Sequence, residues 1–193
     1  MCHHNIFLLQ EAFKRGAVRV RQPHDVVRDQ ARALATGEWR PAEPLKFAQC
    51  EGTQWCDFVG TTRAAITLLS TRVFDAFCAA GVTGWEAVPI VLTNGDGEQL
   101  SNFRLLVVTG RSGPIDNSRS IAIARVVPGN PKGATVWKGL YFEEGSWDGT
   151  DLFSPAGTAL VCVSSKAKGI LERESATNIH LVSLVDFERT RLF

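Results

Sequence analysis

The sequence has no apolar run near the ~20 residues needed to cross a bilayer as a helix. Its start places only Ile6, Phe7, Leu8 and Leu9 together before Gln10 and Glu11, without the basic beginning and long apolar centre of a secretion signal. These two features predict a cytoplasmic protein with no membrane partner. Charge of one sign is also lacking: 21 Lys and Arg against 20 Asp and Glu leave a net charge of +1, too little for a general nucleic-acid field. The local basic run Arg15, Arg19 and Arg21 reads as a solvated face. Cysteine is sparse and odd in number, five in all, which argues against a disulfide scaffold. Cys50 and Cys56 do not have a zinc-knuckle spacing, and Cys2, His3 and His4 sit at a terminus where soft ligands are usually accidental. No metal or cofactor is expected.

Catalytic motifs are missing as well. There is no G-x-S-x-G elbow, and no cysteine lies in a protease-like context. Gly110-Arg111-Ser112-Gly113 is glycine-rich but lacks the Lys-Ser/Thr pair of a phosphate loop. Of the four histidines, His3, His4, His24 and His180, only His180 falls in a well-formed element, where its alternation with apolar neighbours directs it to solvent or a polar edge. Glu143-Glu144 reads as a solvated edge and Asp148-Gly149 as a turn. The expectation is therefore a protein that is not an enzyme. The enzymatic alternative would use Asp148, Asp151 or Glu144 with His180, and requires those side chains to converge.

Apolar residues make up 45% of the 193 positions, enough for one large core. No low-complexity linker divides the chain, so a single domain over 1–193 is expected. Within it, 1–45 reads as helical and then irregular: Asp25 is a suitable N-cap, and Val27, Ala31 and Leu34 follow at helical spacing. Gly37, Pro41 and Pro44 then end the helix and keep the chain extended. From 46 to 193 the texture is strand-rich. A shift of 94 residues aligns 68–92 with 162–186, each reading strand, helix, turn, strand. Ser70 and Ser164 align as helix caps, Gly84 and Asn178 as the residue types that best tolerate a left-handed backbone, and Val88 and Ile90 with Val182 and Leu184. The predicted class is α+β, a mixed sheet with two similar strand–helix–strand units packed with an N-terminal helical segment.

The five tryptophans mostly read as core. Trp147 lies in a polar turn cluster, where a binding anchor and a core cap are equally natural. Several stretches carry a resemblance: Gly84-Trp85-Glu86 with Pro89, Gly110 to Asp116, Ser118-Arg119-Ser120, Gly139-Leu140-Tyr141-Phe142, and Ser146-Trp147-Asp148-Gly149-Thr150-Asp151-Leu152-Phe153. From about Leu68 to Val185 the chain resembles small bacterial proteins, common in myxobacteria, known as double-CxxCG motif proteins and placed among the immunity proteins of polymorphic toxin systems. It departs from them in lacking the zinc-knuckle pairs. The resemblance implies binding and silencing of a cognate toxin. Partner contacts are expected at Arg111, Asp116, Arg119, Trp147, Asp148 and Asp151, on loops carried by a rigid sheet. A structural module forming a homodimer through the repeated unit is the other non-enzymatic expectation.

Overall fold

A computed structural model describes residues 3–21, 28–62, 65–127 and 130–190. The expected N-cap Asp25, Val27, His24, Cys2 and the turn at 128–129 lie outside the described residues. The protein is mainly β, with 43% strand and 19% helix, which overturns the α+β expectation. The N-terminal segment is not chiefly helical either. It opens with strands β1 (Ile6–Glu11) and β2 (Arg19–Arg21), and its only α-helix among the described residues is the eight-residue α1 (Arg28–Ala35). Ile6 to Leu9 thus belong to a strand buried on both faces, and a continuous apolar run is what such a strand looks like.

The chain continues through β3 (Lys46–Glu51), β4 (Phe58–Thr61), β5 (Thr67–Ser70), α2 (Thr71–Ala79), β6 (Trp85–Val88), β7 (Val91–Thr93), β8 (Gln99–Leu100) and β9 (Phe103–Val108). It then forms β10 (Gly110–Pro114), β11 (Ile121–Val127), β12 (Asn130–Lys138), β13 (Leu152–Ala156), β14 (Val161–Ser164), α3 (Ser165–Arg173), β15 (Ile179–Ser183) and β16 (Glu188–Arg189). One sheet has the order β10-β13-β14-β1-β15, a second β6-β9-β5-β4-β2-β3-β7-β8, and a third β11-β12-β16.

The first five strands of the eight-stranded sheet repeat the five-stranded sheet strand for strand. In β6-β9-β5-β4-β2 and β15-β1-β14-β13-β10 alike, the first three pairings are antiparallel and the last is parallel. β5 and β6 are therefore parallel to each other with β9 between them, as β14 and β15 are with β1 between them. Register agrees to the residue: Leu105 pairs with both Leu68 and Val88, and Leu8 with both Cys162 and Val182. The likeness seen over 68–92 and 162–186 is thus one part of a larger two-fold repeat. The strand that lies between the two parallel strands of each unit is exchanged between the halves. β1, at the start, completes the second half, and β9, leading directly into β10, completes the first.

The buried residues follow the same two-fold pattern. Between the two sheets lies a shared core holding α2 and α3, with matched pairs Leu9 and Leu106, Leu69 and Val163, Val73 and Ala167, and Phe77 and Leu171. Each sheet's outer face has its own core. Val59, Leu68, Phe103 and Leu105 lie under α1 on one side; Phe153, Cys162, Ile6 and Leu8 lie on the other with Phe142. The turns after α2 and α3 use Gly84 at φ 86° and Asn178 at φ 60°, both in the left-handed region. Ser164 caps α3 by accepting from the Ala167 N–H, whereas Ser70 makes no such side-chain cap on α2. No helix among the described residues is long and apolar enough to cross a membrane.

Candidate functional site

Two carboxylates link the halves reciprocally. Asp57, just before β4, accepts from the Ser70 hydroxyl at 2.7 Å, from Arg72 Nη2 at 2.7 Å, and from the Thr177 N–H and hydroxyl at 2.9 and 2.8 Å. Asp151, just before β13, accepts from the Ser164 hydroxyl at 2.7 Å, from Lys166 Nζ at 3.1 Å, and from the Thr83 N–H and hydroxyl at 3.0 and 3.3 Å. Each acid thus joins its own half's helix start to the turn after the other half's helix. Burial, the largest influence, pushes both carboxyls up. The bonds from Ser70, Arg72 and Thr177, and from Ser164, Thr83 and Lys166, together outweigh it, so both lie below the ordinary carboxylate value.

The residues expected to contact a partner fall as follows. Asp151 is committed to the clip just described. Asp148 accepts from the Arg111 N–H at 2.7 Å and from the Thr150 N–H and hydroxyl, which closes the turn before β13. The Arg111 guanidinium donates to the carbonyls of Val108, Gly110 and Thr36, tying the second half to the end of α1. Trp147 is half-buried and caps the outer core, its ring 5.1 Å from that of Phe153. Asp116 caps a 3-10 turn through Ser118, whose hydroxyl holds the carboxyl below its usual value. Arg119 is exposed and lies over the Tyr141 ring at 4.5 Å. The acids of the enzymatic alternative have separate engagements. Glu144 meets buried His3 at 3.3 Å, Asp148 and Asp151 are bonded as above, and His180 is exposed on edge strand β15 opposite Gln10. His3 Nε2 lies 3.1 Å from the Phe142 carbonyl, and burial lowers its pKa.

The arrangement that these expectations missed lies where β1 meets β4. A cleft of about 220 Å³ is walled by Leu9, Phe58, Ile66, Leu160 and Val161. Glu11, the last residue of β1, reaches into it with a side chain only 9% exposed. Its carboxylate lies directly over Gly60, where a Cβ would fall 2.1 Å from Oε2. The nearest cation is Arg19, whose Nε is 3.8 Å from Glu11 Oε2, outside hydrogen-bond range. Arg19 Nη2 donates instead to the Thr61 carbonyl at 2.8 Å. At the same cleft Phe13 is 71% exposed and held at φ 51°, with the Arg19 guanidinium 5.8 Å from its ring centre. An exposed Phe in a left-handed turn departs from both burial and backbone preference, and such departures concentrate at sites of interaction. In the sequence, Arg15, Arg19 and Arg21 gave only a charge run. The signal that could have marked the site is the acid at Glu11, closing a strand whose first four residues are apolar. Compared with known protein families and with curated proteins, the chain matches none.

Proposed function

We propose that this chain is an immunity-type protein that binds a cognate toxin and silences it by protein–protein contact. The observation that carries the reading is the Phe13 turn. It presents a large aromatic, 71% exposed, on a short connection between two strands that belong to different sheets. A rigid aromatic on fixed supports loses little entropy when a partner covers it, and such residues dominate interface energetics. The interlocked halves keep the surface preformed. Arg119, exposed on the Tyr141 ring, adds a cationic contact of the kind that speeds capture.

The test is co-expression of the chain with the product of the adjacent gene, followed by pull-down from the same cells. Growth rescue and co-purification are expected. Phe13→Ala should weaken capture by about tenfold or more with an unchanged Tm, since truncating an interface anchor typically costs ~2 kcal/mol. Neither rescue nor capture would remove the reading.

One observation favours a second reading, the homodimer. β11 is an edge strand of the third sheet, and its Ile121 is 61% exposed. Exposed apolar edge strands are templates for pairing. Light scattering over a concentration series decides it: a monomer throughout ends this alternative.

A further inference from the structure

The two-fold repeat supplies an internal control for every residue of the cleft. Glu11 pairs with Ile179 on β15, and its counterpart in the other half is Val108, which pairs with Trp85 on β6. The counterpart of Gly60 is Ser154; Arg19 pairs with Gly60 as Arg111 pairs with Ser154. The same junction is therefore built twice. One copy has Val108, 1% exposed, at the place of the acid, Ser154 at the place of the glycine, and an Arg111 engaged by three carbonyls. The other places a buried carboxylate over a glycine next to an open cleft. The fold does not need an acid there, because its own second copy closes the junction with an apolar side chain. The Glu11 side chain, 9% exposed, gives up most of its hydration, and its contact with Arg19, 32% exposed, is an ion pair at 3.8 Å and not a hydrogen bond. Among the described residues, no group donates a hydrogen bond to it.

We propose that the cleft is a binding site for an alkylammonium group, such as the side chain of a lysine on a partner protein, with Glu11 accepting the ammonium and the apolar walls taking the methylenes. The chemistry follows from the lining. A carboxylate that accepts no hydrogen bond from the described residues favours a charged donor. Leu9, Ile66, Leu160 and Val161 provide contact for an aliphatic stem, with Gln10, Thr61 and Thr67 as the polar residues of the lining. The exposed Phe13 ring at the cleft can face a cation as it now faces Arg19. Gly60 leaves room for the carboxylate, so the acid and the glycine act as a pair. The inference deepens the toxin-binding reading by naming the kind of side chain that would enter, and rests on it only for the identity of the partner.

The test uses the purified full chain and n-butylamine hydrochloride, followed by NMR shift titration, with n-butanol and butyramide as uncharged controls of similar stem. The butylammonium ion should bind in the millimolar range with shifts centred on Glu11, Gly60 and Val161, and the controls at least about tenfold more weakly, the difference expected for a charge-assisted bond. Glu11→Gln and Glu11→Val should both abolish the preference for the amine. Glu11→Val, which copies the other half, should also raise Tm, an outcome that a purely structural role for the acid forbids. Equal binding of amine and alcohol, or amine binding unaffected by either substitution, overturns the proposal. Toxin capture is read separately. Amine binding without capture removes the immunity reading alone, and capture without amine binding removes the lysine site alone.

Discussion

At the scale of single residues, the two aspartates show how one side chain can serve both halves of a protein. Asp57 and Asp151 each satisfy a Ser hydroxyl within their own half and a Thr N–H and hydroxyl across the junction. Removing either acid strands several of these donors. Asp57→Ala and Asp151→Ala should each cost about 2–3 kcal/mol in urea denaturation at neutral pH, the loss of hydrogen bonds to a charged acceptor. The contribution of Arg72, half-exposed, is smaller because solvent screens it. Both carboxyls titrate below their ordinary value when folded. Their stabilisation is therefore present above the unfolded pKa of about 3.9 and is lost as pH falls through the lower folded values. Asp57→Asn and Asp151→Asn should flatten the acid limb of the stability curve below about pH 4, and an unchanged limb would refute the assignment. Trp147 is instructive in the opposite sense. Its polar neighbours left display and core capping equally open, and the ring packs against Phe153 while staying half-buried.

At the scale of elements, the exchanged strands decide the architecture. β1 and β9 occupy equivalent middle positions, each hydrogen-bonded on both edges and buried on both faces. Leu8 and Leu105 are the matched central residues, 1% and 0% exposed. Leu8→Ala and Leu105→Ala should destabilise by similar amounts, about 3 kcal/mol each, as large-to-small changes in packed cores do. A cost for Leu8→Ala within the noise of a surface change would show that β1 is not integral to the second half. The segment differences between the halves are equally informative. The first half inserts α1 and β3 between its parallel-paired strands β2 and β4, whereas the second inserts the β11–β12 hairpin between β10 and β13. These insertions give the halves different outer covers over a common frame. They also explain why α1 closes the junction at Arg111 through Thr36 while the corresponding junction at Arg19 stays open.

At the scale of the whole molecule, the reciprocal exchange of strands makes each half incomplete without the other. The inner core is built from matched residues of both sheets and both longer helices, so neither half has a private hydrophobic centre there. Unfolding should consequently be a single transition. Fluorescence reports the first half through Trp39, Trp55 and Trp85 and the second through Trp137 and Trp147, and far-UV circular dichroism reports the sheets. Coincident midpoints for the parent and for variants lacking one set of tryptophans are expected, and two separated transitions would contradict the interlock. For a binding protein the consequence is a surface whose geometry is set before the partner arrives, which lowers the ordering cost of association.

The sequence by itself determined the local units: the helices at Thr71 and Ser165, the turns that place Gly84 and Asn178 in the left-handed region, and the strand-rich texture between them. These are written in short-range periodicity and in residues with special backbone preferences, which a linear reading can detect. Only the tertiary structure decided that the protein is mainly β, that Ile6–Glu11 is a central strand, and that Arg19 corresponds to Arg111 and Asp57 to Asp151. The exchange of first strands separates β1 from the sheet-mates beside it by most of the chain, and unequal insertions shift the alignment from one element to the next. The Glu11 cleft belongs to the same class of fact. A carboxylate at the end of one strand and a glycine in another acquire their meaning only when two sheets bring them face to face, where burial changes what an acid can do.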